Sequence, residues 1–246
     1  MKLREAIQLW FGSKSERRRM AARILRKRAS RLGLYVYSEQ MVWKEQPFFA
    51  RAKIAASEVK GIPDPRCFVL QSALRSVSSI EGAVAECGVR QGRSTLFMLA
   101  AEEGERTYHL FDSFAGLSNP TGEDRTADGR TLWEEGDLST DEAVARKNLE
   151  GFANVRFHVG WIPQTLSAVA DERFAFVHID VDLYEPTKGA LEFFWDRLQP
   201  NGLVVCDDYG SANCPGARKA FDEFYRDRPE AIIELPTGQA LVAKRG

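Results

Sequence analysis

The chain of 246 residues carries 34 Lys and Arg against 35 Asp and Glu, with 44% hydrophobic and 28% charged residues. That length and composition suit one α/β domain plus additional material and argue against disorder, and the near-neutral balance argues against a nucleic-acid footprint spread over the whole molecule. No run approaches the ~18 consecutive apolar residues of a membrane-spanning helix, and the start MKLREAIQLWFGSKSERRR lacks both the long apolar core and the small-residue cleavage site of a secretory signal. A cytoplasmic protein is expected, and the four cysteines, Cys67, Cys87, Cys206 and Cys214, form no CxxC pair and read as buried free thiols.

Residues 1–60 form a basic, helix-prone extension. From Met1 to Arg31 there are eleven Lys or Arg against Glu5 and Glu16, an excess of nine. Ile7, Leu9, Trp10 and Phe11 precede a helix-like run over Ser15–Leu32. Two readings stay open: an extension packed on the core or on a second subunit of a homo-oligomer, or a basic amphipathic segment touching an anionic membrane surface or an acidic partner.

Residues 61–246 read as one domain in which helices alternate with short apolar strands. The pattern predicts helices at Arg66–Val77, Gly92–Glu103, Thr140–Leu149, Pro186–Leu198 and Gly216–Arg226. Strands are predicted at Ala83–Cys87, Thr107–Phe111, Val155–Val159, Phe174–Ile179 and Leu203–Cys206, with a closing hairpin of Ala231–Glu234 and Ala240–Ala243 around Thr237-Gly238. Alternation of this kind implies a mainly parallel sheet with helices on both faces, and a terminal hairpin adds an antiparallel strand. The glycine-rich stretch 113–139 has no clear period and follows a strand end, which suits a lid over a binding site.

Ligands bind α/β sheets beyond the C-terminal strand ends. The run AVAECGVRQGRSTL from Ala83 reads as strand, glycine turn and helix, without the three-glycine loop that seats a dinucleotide pyrophosphate. Glu86, just before Gly88, suits a cationic ligand, and Asp112, closing the next strand, can hold ribose hydroxyls. S-adenosylmethionine meets these terms: a sulfonium and an ammonium, a ribose and no phosphate. Two acidic pairs, Asp180 with Asp182 and Asp207 with Asp208, close successive predicted strands. Period-2 geometry points Asp180 and Asp182 into one volume, and a helix crossover can place both strand ends on one side. Four carboxylates together repel unless a cation neutralises them, and an all-oxygen set suits Mg²⁺ or Mn²⁺ better than zinc.

With Ala85-Glu-Cys-Gly-Val-Arg-Gln-Gly-Arg-Ser, Leu110-Phe-Asp-Ser-Phe-Ala-Gly-Leu, Gly136-Asp-Leu-Ser, His178-Ile-Asp-Val-Asp-Leu-Tyr-Glu-Pro-Thr, Asp207-Asp-Tyr-Gly and Gly216-Ala-Arg-Lys-Ala in this order, most of the chain beyond residue 60 resembles the macrocin O-methyltransferase family, which methylates sugar hydroxyls of natural products. The resemblance implies a Rossmann-like class I methyltransferase fold, a mainly parallel seven-stranded sheet with one antiparallel strand. It also implies metal ligation by Asp180, Asp207 and Asp208 and a general base at Asp182. Glu86, Gly88, Ser94, Asp112 and Ser113 match positions around the cofactor's methionine and ribose parts. Gly160 and Trp161 fall where related enzymes contact adenine, though Trp161 serves equally well as a packing aromatic. Catechol methyltransferases, which share the three-carboxylate site, carry a lysine base where this chain has Leu183.

The expected activity is therefore S-adenosylmethionine- and Mg²⁺-dependent O-methylation of a hydroxyl on a sugar, a sugar-containing metabolite or a glycan. Two alternatives are a glycosyltransferase using Asp180 and Asp182 as a DxD motif, and a non-catalytic binding protein on the same fold. The first leaves the Glu86–Gly92 turn and the Asp207-Asp208 pair without a task.

Overall fold

The computed structural model describes residues 10–32, 41–102 and 106–246, apart from the side chains of residues 14, 15, 18 and 19. Ile7, Leu9 and Glu103 lie outside the described residues. The chain divides into two compact units between Gln46 and Pro47, earlier than the expected boundary at residue 60. In the first unit α1 (Lys14–Arg31) starts at a reciprocal cap: the Glu16 amide donates to Ser13 Oγ, and the Glu16 carboxylate accepts from the Ser13 amide at 2.8 Å. The second unit begins with α2 (Pro47–Ala55), whose fully buried Phe49 lies 5.2 Å, ring to ring, from Phe97. Burial of that ring is why this helix belongs to the larger unit.

The larger unit continues with α3 (Asp64–Ser76), β1 (Ala83–Cys87), α4 (Arg93–Ala101), β2 (Tyr108–Asp112), α5 (Glu142–Asn148), β3 (Val155–Val159) and β4 (Phe174–Ile179). It closes with α6 (Tyr184–Trp195), β5 (Leu198–Cys206), α7 (Pro215–Tyr225), β6 (Ile233–Glu234) and β7 (Ala240–Ala243). The seven strands lie in the order β3-β2-β1-β4-β5-β7-β6. β1 to β5 run parallel, and β7 is antiparallel to both neighbours, as the terminal hairpin predicts.

β1 and β4 are buried at every residue, the condition of parallel strands covered on both faces. Side-chain alternation divides them. Ala83, Ala85 and Cys87 join Val177 and Ile179 in a core closed by Ala190, Leu191 and Phe194 of α6 and Ala217 and Phe221 of α7. Glu86 and His178, register partners, face the other way and are fully buried. Helices α6 and α7 form because their apolar residues recur at helical spacing, Ala190, Leu191, Phe194 and Trp195 on one and Ala217, Ala220 and Phe221 on the other.

Two expectations are corrected here. The helix predicted to reach Leu198 ends at Trp195, and β5 begins at Leu198 rather than Leu203. Leu198 pairs with Phe174 in the sheet, and the register then slips around residues 199–202, where Asn201 takes a left-handed φ of 65°.

Phe194 has no exposed surface and sits edge-on to Phe174 at 4.9 Å and to Phe111 at 5.8 Å. Phe194→Ala is expected to cost about 3–5 kcal/mol in urea unfolding, the range for deleting a buried aromatic. A loss below about 1 kcal/mol would contradict its place at the centre of this core.

Candidate active site

A cavity of about 320 Å³ opens beyond the C-terminal ends of β1, β2, β4 and β5. Its first half is walled by Gly88, Ser94, Asp112, Ser113, Gly160 and Trp161. Gly88 holds a φ of 88°, and a Cβ there would meet the Asp180 carbonyl oxygen at 1.8 Å, so β1 can turn this close to β4 only through glycine. Asp112 ties the turn together: Oδ2 accepts from the amides of Val89 and Arg90 at 2.7 Å each, and Oδ1 accepts from Phe114 N–H at 2.7 Å. Ser113 Oγ donates to the Gly116 carbonyl and accepts from Ala115 N–H, which shapes the start of the following loop. Trp161 is 40% exposed, so its indole is not a core aromatic and has a free face at the cavity.

Glu86 is not in this wall, contrary to the sequence expectation. It is 0% exposed, accepts a hydrogen bond from Thr95 Oγ1 of α4 and lies 3.1 Å from His178 Nδ1. Strand alternation aims it beneath α4, away from the turn that follows it.

The acidic half of the cavity is walled by Asp180, Asp182 and Asp208, with Arg66 and Arg90 beside them. Asp180 and Asp182 line this one half of the cavity, though not as strand neighbours: β4 ends at Ile179 and Asp182 sits in a turn at φ 59°. The turn separates the two. Asp180 meets Asp207 and Asp208, with oxygens all within 4.8 Å of one another, while Asp182 meets Asp208 and Cys214 within the same distance. The Asp182 amide donates to Asp208 Oδ2 at 3.2 Å, and the Cys214 thiol donates to Asp182 Oδ1 at 3.3 Å. All four cysteines are buried and free, as expected.

Asp207 lies behind the wall with no exposed surface, and its carboxylate is already engaged. Oδ2 accepts from Arg66 Nη1 at 2.5 Å, and Oδ1 accepts from Gln239 Nε2 at 2.7 Å. His178 Nε2 stands 3.5 Å from Oδ1, an ion-pair separation rather than a hydrogen bond. Neither Arg66, Gln239 nor His178 was singled out as a site residue by the sequence.

These contacts divide the carboxylates. Burial alone would raise Asp207, but His178 and Arg66 outweigh it and hold the group below the usual carboxylate range. Asp180 and Asp208 are pushed well above that range, first by burial and then by the neighbouring carboxylates. Asp182 is raised by burial too, against the pull of the Cys214 hydrogen bond. Burial would lower His178, yet Asp207 and Glu86 raise it to about 9, which keeps the imidazole charged at neutral pH.

The donor chemistry fits a hard divalent cation at Asp180, Asp207 and Asp208: three carboxylates converge there, two of them with raised pKa and no neutralising contact as close as that between Arg66 and Asp207. The set of Asp182, Asp208 and Cys214 includes a thiol and is less suited to such an ion.

The loop from residue 113 to 139 is anchored beside this half. Asp124, buried in a 3-10 turn over Gly122–Asp124, accepts the Tyr184 amide at 2.7 Å through Oδ1 and the Thr121 amide at 2.8 Å through Oδ2. Asp124 thereby caps the first turn of α6. A Cβ at Gly216 would lie 2.0 Å from Asp124 Oδ1, so α7 admits the loop only because that position is glycine.

Comparison with known proteins places these features. A family model described as Macrocin-O-methyltransferase (TylF) matches residues 49–235. Mycinamicin III 3''-O-methyltransferase of Micromonospora griseorubida is 33% identical over 182 residues, covering 68% of this chain and 69% of that protein. A Streptomyces olivaceus enzyme, 8-demethyl-8-(2,3-dimethoxy-alpha-L-rhamnosyl)-tetracenomycin-C 4'-O-methyltransferase, is 33% identical over 148 residues, 56% of this chain and 57% of its own. Among solved structures, the O-methyltransferase NovP aligns with a TM-score of 0.63 at 26% identity, covering 75% of this chain and 81% of that one.

Asp208→Asn is expected to stabilise the metal-free protein at neutral pH, because burial and the neighbouring carboxylates disfavour the charged form of this side chain. The sign follows from the raised pKa: the difference is absent below the ordinary carboxylate value of about 3.9, where both states are protonated, grows as pH climbs from there towards the raised value, and is constant above it. Urea unfolding in EDTA at several pH values measures it, and a variant less stable than wild type at neutral pH contradicts the charge balance described.

Proposed function

The chain belongs to the macrocin-O-methyltransferase family and is an O-methyltransferase; from that premise we propose that it moves a methyl group from S-adenosylmethionine to a hydroxyl of a sugar or sugar-bearing molecule, with Mg²⁺ or Mn²⁺ held by Asp180, Asp207 and Asp208. Its fold is the Rossmann-like class I methyltransferase fold expected from the sequence. The single observation that carries the proposal is the convergence of three carboxylates, Asp180 and Asp208 in the wall and Asp207 behind it, at a cavity that the Gly88 turn also lines. The acceptor class rests on the relatives, one named for a rhamnosyl-bearing substrate.

Each residue has a task in this reading. The Gly88 turn, Asp112 and Ser113 line the place for the nucleoside and methionine parts, with Gly160 and the exposed Trp161 beside the base. A divalent cation supplies Lewis acidity, which lowers the pKa of an alcohol held against it. Asp182 takes the proton from the acceptor hydroxyl; burial gives its carboxylate a raised proton affinity, and Cys214 fixes its orientation. The anchored loop over residues 113–139 screens the reacting groups from water and contacts the acceptor, which makes it the element that selects the substrate. Membership of this family displaces the glycosyltransferase alternative.

Asp182→Asn should lower kcat by ~10²–10⁴-fold, the usual range for lost acid–base help. Affinity for S-adenosylhomocysteine, read by calorimetry in Mg²⁺, should stay within about threefold of wild type, a change below 1 kcal/mol. Equal losses in turnover and in binding would remove the role assigned to Asp182, and absence of binding in the folded wild type would remove the cofactor.

A further inference from the structure

Arg66 makes an ion pair with the acid cluster, and its position is unusual for its charge. It lies in the first turn of α3, where the helix dipole disfavours a cation. Its side chain is 21% exposed and turns inward, where Nε donates to the Thr237 carbonyl at 3.0 Å and Nη1 reaches Asp207 Oδ2 at 2.5 Å and Asp208 Oδ1 at 3.9 Å. Arg66 therefore touches two of the three carboxylates assigned to the divalent ion and fills one oxygen of Asp207, whose other oxygen is held by Gln239.

We propose that Arg66 is a resident counter-cation of the cluster, at the Asp207 oxygen that His178 does not face: it pairs with Asp207, stands 3.9 Å from Asp208 in the metal-free protein and competes with the divalent ion for Asp207, so that it tunes the affinity of the site. The inference rests on the cation reading of Asp180, Asp207 and Asp208 made above. Its physics is a balance of two opposed effects. Orienting a ligand from behind strengthens ion binding, and losing such a partner typically weakens it by about 10–100-fold. A fixed positive charge within 4 Å of two ligand oxygens repels the incoming ion, and inside a protein of low effective dielectric this repulsion is the larger effect. His178 and Gln239 continue to orient Asp207 when the arginine is gone, so repulsion dominates the outcome. The arrangement pairs Asp207 before the ion arrives, at the expense of affinity once it does.

The test uses the full chain with Arg66→Gln and Arg66→Lys, titrated with Mn²⁺ by calorimetry and melted in EDTA and in saturating Mg²⁺. Arg66→Gln should melt several degrees below wild type in EDTA and regain most of that loss in Mg²⁺. Its Mn²⁺ Kd should fall by at least about tenfold, the sense set by removing a like charge. Arg66→Lys keeps the charge and should stay within about threefold of the wild-type Kd. Weaker or unchanged Mn²⁺ binding by a folded Arg66→Gln, with binding by the wild type intact, overturns the inference and leaves the cation reading standing. Binding by the variant alone supports the inference in a stronger form, in which Arg66 excludes the ion. Binding by neither protein overturns the cation reading, and the inference with it.

Discussion

Laying β4 beside β5 in parallel register brings Asp180, Asp182, Asp207 and Asp208 together beyond the C-terminal ends of these strands, and the local structure can be understood as the means of bearing that charge. Carboxylates withdrawn from water must be protonated, paired or bound to a cation. Asp207 is paired, by Arg66 from α3, by Gln239 from the hairpin and by His178 from β4, and His178 is in turn backed by Glu86, which accepts from Thr95. Asp180 and Asp208 have no comparable partner among the described residues and, unlike Asp207, line the cavity. The close turn at Gly88, packed against the Asp180 backbone, then sets the half of the cavity walled by Asp112, Gly160 and Trp161 next to the acid cluster rather than elsewhere on the sheet.

The parts of this arrangement that obey a period were legible in the sequence. Five parallel strands, their crossover helices and the final antiparallel hairpin follow from apolar runs separated by glycine and polar turns, and the acidic residues at successive strand ends mark the side on which the site lies. Ends of elements were less legible. Leu198 reads as the last apolar residue of a helix, yet pairing with Phe174 takes it into the sheet, an outcome decided by tertiary contact rather than local preference. Asp182 shares the cavity with Asp180 by a route that strand alternation does not describe: the strand stops at Ile179, and a left-handed turn aims the side chain.

Residues whose role depends on long-range meetings left no local signal. Arg66 and Gln239 are separated from Asp207 by 141 and 32 positions along the chain and carry no motif that ties them to it. Glu86 shows the converse. Its place before the glycine turn suggested a ligand contact, while strand alternation, which was available from the sequence, sends it to the opposite face of the sheet with His178. Asp124, deep within an aperiodic stretch, is likewise readable only once α6 and α7 are in place to receive it.

The central claim is that the carboxylates at the ends of β4 and β5 form a site for a hard divalent ion in an O-methyltransferase. Anomalous scattering from crystals grown with Mn²⁺ tests it most directly. The account predicts one strong peak at roughly 2.0–2.3 Å from oxygens of Asp180, Asp207 and Asp208, the range for oxygen ligands of such ions. No peak there, or one centred on Asp182, Asp208 and Cys214 instead, would contradict it.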